Sequence, residues 1–522
     1  MAEAFDAILI GAGHNALAAA LHLAAKGWRV AVLEQAGSPG GAVKTGAYTL
    51  PGFRHDWGAM NLSLFAGSPF HRLYGGELAR HGLEFVPVAD PFATAFPDGR
   101  WLGVSTDAAI TTARIAAFSG RDAETWARLL AEFPAEAPHL FDLLGRPMRL
   151  RSSAAFAARV IRAKRLSGTA DLGRFLVSSP RQWLTETFES DHLRSMLAAW
   201  GMHLDFAPDI AGGAMFPYLE AMANQSFGMV LGKGGADTMI RALVAAIRAR
   251  GGVVRCDTPV TRILHRDGGA WGVETADGGQ FSAARAVIAG VAPGALAGLT
   301  GGTEPAFDAR MAGFAHAPGT MMIHLALSAQ PDWAAGADLK RFAYVHLAPS
   351  MDQMARTYAQ AQAGLLPDEP VLVVGQPTAV DPTRAPEGQH VLWLQVRMAP
   401  GTIRGDAGGE IAATDWAEAA LPFAERALGI LERHAPGTRA KTLARRIVSP
   451  AELAAENPNL VGGDQICGSH HLAQHFLFRP ARGHADGSTP IRNLHLTGAG
   501  VWPGAGTGAG SGYLLARKLA GN

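Results

Sequence analysis

The residues ILIGAGHNA at positions 8–16 and RVAVLEQ at positions 29–35 decide the fold of this chain. They form an apolar strand, a glycine turn, a helix and a second apolar strand that ends in an acid, the pattern of a dinucleotide-binding βαβ unit. Gly11 allows the tight turn, Gly13 lets backbone N–H groups approach a pyrophosphate, and Ala16 is small enough for the helix to lie on the strand. Glu34 follows Gly13 by 21 residues, close to the ~20 typical of a carboxylate that binds an adenosine ribose. A glycine turn in an ordinary βαβ unit is the alternative.

Length and composition limit the class of protein. The 522 residues exceed the roughly 250–300 at which one core stops growing, so at least two lobes are expected. A net charge of +1 with 17% charged residues predicts no nucleic-acid partner. Cys256 and Cys467 are too far apart for a CxxC motif, which favours a reducing compartment and excludes a redox-active disulfide. The early first strand and the lack of an apolar run of ~18 residues predict a cytoplasmic protein.

Hydrophobic periodicity predicts an α/β protein with a discontinuous Rossmann-type domain. We expect residues 1–70, 228–292 and 485–522 in the nucleotide-binding domain, residues 71–227 in a mainly helical insertion or cap, and residues 293–484 in a substrate domain. Apolar runs beginning at Met321, Phe342, Val371 and Val391 predict a mixed β-sheet in the substrate domain. An amphipathic helix is expected from about Ala412 to Arg433.

The end of the chain indicates which dinucleotide is bound. Gly498-Ala499-Gly500 follows a predicted strand and leaves 22 residues to the end, too few for a second βαβ unit that would hold NAD(P)H beside FAD. A terminal strand, glycine turn and helix would instead suit the far end of one extended cofactor, because a helix N-terminus favours the negative charge of a reduced isoalloxazine. The sequence therefore predicts FAD.

A set of short motifs extends along nearly the whole chain: GAGHN at 11–15, Leu33-Glu34, Gly40-Gly41-Ala42, Pro51-Gly52-Phe53 with Asp56, Gly234-Gly235, Asp381-Pro382, residues 385–391, and residues 497–500 with Pro503-Gly504. In this order they resemble the phytoene-desaturase-like group of two-domain FAD oxidoreductases, most closely its pyridine nucleotide-disulfide oxidoreductase domain-containing protein 2 branch. No disulfide motif accompanies that resemblance here.

The resemblance implies a set of cofactor-binding residues. The pyrophosphate would be lined by Gly11, Gly13, His14, Asn15 and Gly41. Glu34 would bind the ribose, and the backbone of Val260 would contact the adenine. The ribityl chain and flavin would be lined by Gly498, Ala499, Pro503, Gly504 and Thr507. The expected set also includes Ala16, Gln35, Ala42, Val43 and Gly290.

The flavin would supply hydride chemistry, so the protein has to place a substrate C–H bond and exclude water. Related amine oxidases usually carry a lysine near the flavin, and the comparable stretch from Thr320 to Trp333 contains none. This favours removal of hydride from a small apolar or cyclic substrate to form a C=C bond, with oxygen or a quinone as electron acceptor. Oxidation of C–N or C–OH bonds is the rival reaction. A partner-dependent flavoprotein with structural FAD is the rival class.

No catalytic acid or base is assigned from the sequence. His55 and His471 are candidates, although His55 would also fit a role in bonding loop backbone. His471 and His475 would share one helix face at i and i+4, but only two ligands converge, so no metal is expected. Cys467 stands where some amine oxidases tether flavin, but its surroundings do not match that motif, which favours a buried free thiol and non-covalent FAD.

The segment from Arg146 to Arg165 carries seven basic residues and no acidic ones. It predicts either a solvated face of the helical insertion or a peripheral contact with anionic lipid. The oligomeric state is not predicted.

Overall fold

The computed structural model describes residues 3 to 521, in two sheets with helical layers. The first sheet has seven strands, and its central parallel part joins both ends of the chain. Its strands, in spatial order, are Val260–Arg266, Gly269–Thr275, Gln280–Ala289, Glu3–Ile10, Val30–Leu33 and Val253–Arg255, with Leu494–Leu496 pairing the second half of Gln280–Ala289. A parallel sheet has to be covered on its faces, and the helices His14–Ala25, Asp237–Ala249 and Gly510–Ala520 cover one of them.

The second sheet is mixed and also has seven strands. Its spatial order is Thr442–Val448, Gly319–Leu327, His390–Ala399, Val371–Gly375, Tyr344–Leu347, Phe92–Ala95 and Trp101–Val104. The four strands predicted from apolar runs are all present in it. The other three were not predicted.

Each unpredicted strand has a local explanation. Phe92–Ala95 and Trp101–Val104 form a hairpin around Pro97-Asp98-Gly99, within a segment expected to be mainly helical. Asp98 closes this turn by accepting hydrogen bonds from the backbone and side chain of Arg100. Thr442–Val448 is an edge strand whose central arginines face solvent, so its apolar pattern is weak.

Helices lie on both faces of the second sheet. One face carries Trp416–His434, whose start differs from the predicted Ala412 because the Asp415 carboxylate caps the N–H of Glu418 at 3.0 Å. The other face is covered by Ala108–Ala116, Gly120–Leu144, Leu150–Val177, Pro180–Thr187, Asp191–Gly201 and Met215–Phe227. Shorter helices are Ser63–Ala66, Pro69–Arg80, Leu296–Thr300, Pro305–Ala312, Met351–Gln362, Thr438–Lys441 and Pro450–Glu456.

Three small strand pairs lie outside the two large sheets, and a buried ion cluster joins the two halves of the molecule. The pairs are Thr45–Gly46 with His55–Asp56, Phe85–Val88 with Met229–Gly232, and Leu365–Leu366 with Gly405–Asp406. Arg384 is fully buried, ion-paired with Asp56 and Asp381, and donates a hydrogen bond to Gly232 O at 2.8 Å. Within residues 3–521, no helix is long and apolar enough to cross a membrane.

Candidate cofactor and substrate site

The first glycine turn opens onto free space at a helix N-terminus. Gly11 has φ +87°, and its N–H donates to Leu33 O at 2.7 Å, which closes the turn against the second strand. A β-carbon added to Gly11 would lie 3.3 Å from Gly290 O, so the turn and the strand end at Ala289 touch. At Gly13, no atom of the described chain lies within 4 Å of such a β-carbon. This leaves room for a phosphate at the start of the helix His14–Ala25.

Glu34 lies at the mouth of this turn. Its Oε2 accepts a hydrogen bond from Ala12 N at 2.6 Å and its Oε1 accepts one from Ala36 N at 2.9 Å. The carboxylate is therefore fixed beside the glycines rather than turned to solvent. The backbone O of Glu34 accepts from Thr258 N at 2.8 Å, which brings Val260 to the same end of the sheet.

The second glycine cluster lies across the first. Gly40 N donates to Ala12 O at 2.9 Å, and a β-carbon on Gly41 would lie 3.4 Å from the Cα of Gly13. The loop continues through Ala42, whose carbonyl accepts from Ala59 N at 3.3 Å. Residues 40–43 and 58–59 therefore form one wall of the space in front of the turn.

The terminal loop reaches the same space from the other end of the chain. His14 Nε2 lies 3.0 Å from Gly506 O, and burial lowers the pKa of this ring to about 4, so it is neutral at physiological pH. Ser511 Oγ accepts from Gly498 N at 3.0 Å and donates to Gly498 O at 2.9 Å. Thr507 Oγ1 donates to Asn61 O at 3.2 Å. The N-termini of the first and last long helices thus meet at one place.

A third segment, residues 457–470, extends along this space, and only its Cys467 was singled out from the sequence. Asn459 donates from Nδ2 to Gly290 O at 2.9 Å and accepts from Ala292 N at 2.7 Å. The fully buried Arg479 donates to Ala499 O at 2.7 Å and to Ser469 O at 2.7 Å. Asn457-Pro458-Asn459 signals only a turn in sequence, and nothing local marks Arg479 as a partner of the terminal glycines.

Comparisons with known proteins give this arrangement a family. Residues 17–404 match the family model described as flavin containing amine oxidoreductase. The chain belongs to this family. It is 26% identical to pyridine nucleotide-disulfide oxidoreductase domain-containing protein 2 of Mus musculus, over 96% of this chain and 91% of that protein. It is 28% identical to phytoene dehydrogenase of Streptomyces griseus, over 98% and 95%. A solved triple mutant of putrescine oxidase superposes with a TM-score of 0.60 at 15% identity, over 100% and 98%.

The protein is therefore an FAD-dependent oxidoreductase, as the sequence predicted. The geometry fits the cofactor, because open space at Gly13 faces a helix N-terminus and a fixed acid stands beside it. FAD, when bound, accepts hydride. Which residues contact FAD stays a prediction. Most of the predicted residues lie around one cleft in the structure: Gly11, Gly13, His14, Asn15, Ala16, Glu34, Gly41, Ala42, Val43, Gly290, Gly498, Ala499, Gly504 and Thr507. Gln35 lies outside this group, because it follows the end of the strand Val30–Leu33 and is exposed to solvent. Pro503 directly precedes Gly504 in the terminal loop.

The second sheet turns a buried, partly polar face toward this cleft. Strand alternation places Thr320, Met322 and His324 on that face, beside Trp393, Gln395 and Arg397 of the neighbouring strand. Gln395 Nε2 donates to Gly58 O at 3.3 Å, which connects the face to the loop that lies against Ala42. No residue of the strand Gly319–Leu327 is a lysine. This face of the cleft therefore offers amide, guanidinium, hydroxyl and imidazole groups but no amine on this strand.

His55, a candidate catalytic residue, is fully buried next to this face. Its Nε2 lies 2.7 Å from Thr49 Oγ1, and its ring centroid lies 5.3 Å from that of His324. Burial and the Arg384 charge lower the pKa of His55 to about 3, so it is neutral. Within the described chain, His55 Nδ1 and both ring nitrogens of His324 have no hydrogen-bond partner.

The expectation for His471 and His475 is partly wrong. Residues 472–474 form a single 3-10 turn that ends at His475, so the two rings do not share a helix face. His471 Nε2 lies 2.8 Å from Asp205 O and 3.2 Å from Tyr358 Oη, whereas the ring of His475 lies 5.1 Å from that of Trp502, tilted by 55°. The part of the chain that the structure describes shows no group of three metal-ligating side chains.

Cys467 is buried beside the terminal glycines. A β-carbon on Gly500 would lie 3.9 Å from its Sγ. Burial raises the pKa of this thiol to about 12, so it is protonated at neutral pH.

Proposed function

We propose that the protein removes two hydrogens from adjacent carbons of an apolar or cyclic substrate and forms a C=C bond. The observation that carries this proposal is the substrate-facing side of Gly319–Leu327, which presents Thr320, Met322 and His324 and no lysine. The similarity to phytoene dehydrogenase over nearly the whole chain supports the same reaction class. Oxygen or a quinone would take the electrons from the reduced cofactor.

In this proposal FAD is held without a covalent bond. The Cys467 thiol is the nearest cysteine to the terminal glycines, and its raised pKa disfavours the thiolate that a covalent attachment needs. Glu34, Gly13 and the N-termini of the helices beginning at His14 and Gly510 would carry the binding instead.

The test is an anaerobic absorbance titration of the FAD-loaded protein against polyenes, cyclic ketones and amines, followed by air. Bleaching of the flavin band by a polyene or cyclic ketone, with a C=C product, supports the proposal. An imine or carbonyl product formed from an amine or alcohol supports the rival oxidation. Bound flavin that no compound bleaches supports the partner-dependent class. Recovery of the band in air identifies oxygen as an acceptor.

We also propose that the protein works in the cytoplasm with a peripheral membrane contact through residues 146–165. Leu150 is 75% exposed and Leu166 74% exposed at the two ends of this basic stretch. Arg151, Arg162 and Arg165 are exposed between them, which suits an anionic lipid surface. Arg146, Arg149, Arg159 and Lys164 make ion pairs within the protein. Flotation with anionic vesicles but not with zwitterionic ones is the expected result, and flotation with neither contradicts it.

A further inference from the structure

One side of the helix Met215–Phe227 passes from the interior of the protein to its surface. Four residues share that side because they follow one another at spacings of four, three and four: Phe216, Glu220, Ala223 and Phe227. Exposure rises along it, since Phe216 is buried, Glu220 is half-buried and Phe227 is 71% exposed. These four residues form the Glu220 face, which is apolar apart from one carboxyl group.

The buried end of the Glu220 face adjoins the terminal glycine loop. The ring centroid of Phe216 lies 6.5 Å from that of His475, and the His475 centroid lies 5.1 Å from that of Trp502. Trp502 directly precedes Pro503 and Gly504, which are predicted to line the flavin. The face therefore begins beside the proposed cofactor cleft.

The exposed end of the Glu220 face is connected to the same loop by other contacts. Val230, three residues after Phe227, donates from its backbone N to Ser63 Oγ at 3.0 Å. The next residue, Leu64, is 54% exposed, and a β-carbon on Gly506 would lie 2.7 Å from its Cδ1. Exposed apolar side chains at the edge of a cleft are typical of a binding site for apolar molecules.

The Glu220 carboxyl group is held at one oxygen only. Its Oε2 accepts a hydrogen bond from Asn224 Nδ2 at 3.1 Å, whereas Oε1 has no hydrogen bond or ion pair with any residue from 3 to 521. Asn224 is one turn further along the same helix and is itself buried, so it fixes the orientation of the carboxyl group. The second oxygen is left to interact with a molecule that lies along the face.

Tyr344, on the second sheet, lies close enough to Glu220 for the two side chains to interact. Burial, the charge of Asp56 and the charge of Glu220 raise the pKa of the Tyr344 hydroxyl, so it is neutral. The Asp56 charge is itself neutralised in the ion cluster described above. A hydrogen bond from the backbone of Asn61 reaches the same hydroxyl, and Asn61 O accepts from Thr507 Oγ1 at 3.2 Å. These contacts connect Glu220 to a residue predicted to contact the flavin.

The apolar surroundings of Glu220 change its acidity. Burial raises its pKa to about 7, and the hydrogen bond from Asn224 opposes the shift. Near pH 7 the group is about half ionised, so it can take up a proton and release it to water. Glu132 and Glu136 of the neighbouring helix act on Tyr218, which is two residues before Glu220 and does not face the same side.

We propose that the apolar substrate lies along the Glu220 face and that Glu220 takes the proton that leaves the substrate together with the hydride. This deepens the dehydrogenation proposed above and rests on it. Hydride leaves one carbon with two electrons, for which FAD is the oxidant. The C–H bond of the adjacent carbon breaks, its proton goes to the Glu220 carboxylate, and its electron pair becomes the second bond of the new C=C. Glu220 then gives the proton to water.

The first test needs no substrate. Dicyclohexylcarbodiimide is an apolar reagent that modifies protonated carboxyl groups in apolar surroundings, and the FAD-loaded protein is treated with it before its peptides are analysed by mass spectrometry. Glu220 should be modified at pH 6 and about 10-fold more slowly at pH 8, because the protonated fraction falls about 10-fold. The exposed Glu124 should stay unmodified. A protein in which Glu220 is modified at neither pH overturns the proposal.

The second test is the rate of anaerobic bleaching by the polyene or cyclic compound that reduces the flavin fastest. In wild-type protein this rate should rise with pH through about 7, because only ionised Glu220 accepts a proton. Glu220→Gln should lower the rate by about 100-fold or more at pH 8 and remove the rise. The variant keeps the size of the side chain and removes an ionisation that opposes folding, so slower bleaching would not reflect unfolding.

Two further variants complete the comparison. Glu124→Gln makes the same change at an exposed position and should leave the rate and its pH dependence unchanged. Phe227→Ser, at the exposed end of the face, should raise the concentration of compound needed for half the maximal rate and leave the maximal rate nearly unchanged.

The contrary results separate Glu220 from the reaction as a whole. Equal rates and equal pH profiles in wild-type protein and Glu220→Gln overturn the role of Glu220 while the dehydrogenation stands. An amine that bleaches the flavin, and whose binding rather than rate is lost in Glu220→Gln, would mean that the carboxylate binds an ammonium group, which also overturns the role. If no compound bleaches the flavin, the dehydrogenation and the proton transfer fall together, and modification of Glu220 would show only that apolar molecules reach it.

Discussion

Gly512 packs against Asn15 so closely that a β-carbon on Gly512 would lie 1.8 Å from Asn15 O. This contact joins the last long helix to the first, and the two helices begin on either side of the proposed cofactor cleft. The close approach of the helices needs a glycine, because any side chain would meet backbone rather than a movable group.

Gly512→Ala should therefore displace the terminal helix and abolish FAD retention. We expect a loss of about 3 kcal/mol or more in the free energy of unfolding, in the range of severe overpacking. Gly429→Ala is the matched control, since no atom of the described chain lies within 4 Å of its added β-carbon. The control should be neutral or stabilising by up to about 1 kcal/mol. Flavin absorbance per chain and denaturant melts measure both, and full flavin content in Gly512→Ala would contradict the packing argument.

Glu34→Gln should weaken FAD binding without unfolding the protein. The Glu34 carboxylate accepts from Ala12 N and Ala36 N, and an amide N–H₂ would face one of these donors. Loss of the charge-assisted bond that the carboxylate is expected to accept from a ribose hydroxyl of FAD is worth about 1.5–3 kcal/mol, or about 10- to 150-fold in Kd. Glu3→Gln, at the exposed start of the inner strand Glu3–Ile10 of the same sheet, is the control. Reconstitution of apoprotein followed by fluorescence gives both dissociation constants; equal values would remove Glu34 from the site.

Arg384→Met should be strongly destabilising, because it leaves Asp56 and Asp381 buried without their cation. Breaking one side of a buried ion pair costs about 3–5 kcal/mol. The double variant Arg384→Met/Asp56→Asn should recover part of this loss. Arg128→Met, in an exposed i,i+4 pair with Glu132, should cost less than about 1 kcal/mol. Urea unfolding compares them, and a small effect of Arg384→Met would mean that the cluster is not a stabilising contact.

The buried carboxyl of Glu220 should make the free energy of unfolding depend on pH. Burial raises the pKa of this carboxyl from 4.5 to about 7, so ionising it costs folding free energy. The native state binds the proton more tightly, and wild-type stability should therefore fall as pH rises from about 4.5 to 7 relative to a variant that cannot ionise. Glu220→Gln should be more stable than wild type by about 3 kcal/mol at pH 8 and nearly equal at about pH 4. The exposed Glu124→Gln should show no such divergence.

The sequence predicted those features that depend on local spacing. The spacing of Gly11, Gly13 and Glu34 is set by the lengths of the turn, helix and strand between them, and the structure brings the three residues together. The hairpin at residues 92–104 had a local signal in Pro97-Asp98-Gly99, but its strands are short and follow an Asp-Pro pair. The prediction that His471 and His475 share a helix face was wrong, because a spacing of four between two residues does not by itself define a helix.

Buried polar side chains with unpaired atoms could not be predicted in the same way. Gln465, Arg397 and Asp205 come from a loop, a strand and a turn that are far apart in sequence. What distinguishes them is which of their atoms remain without partners, and that depends on tertiary approach. The roles of Asn459 and Arg479 also depend on tertiary contacts, because each binds a backbone carbonyl that is distant in sequence.

The most direct test of the central claim is the mass of the product from one anaerobic turnover of FAD-loaded protein with the compound that bleaches its flavin. The proposed dehydrogenation predicts a product lighter by two hydrogens, with a new C=C bond and every heteroatom retained, and flavin that leaves the protein on denaturation. A product in which an amine or alcohol has become an imine or carbonyl would contradict it, as would a protein that neither holds nor takes up FAD.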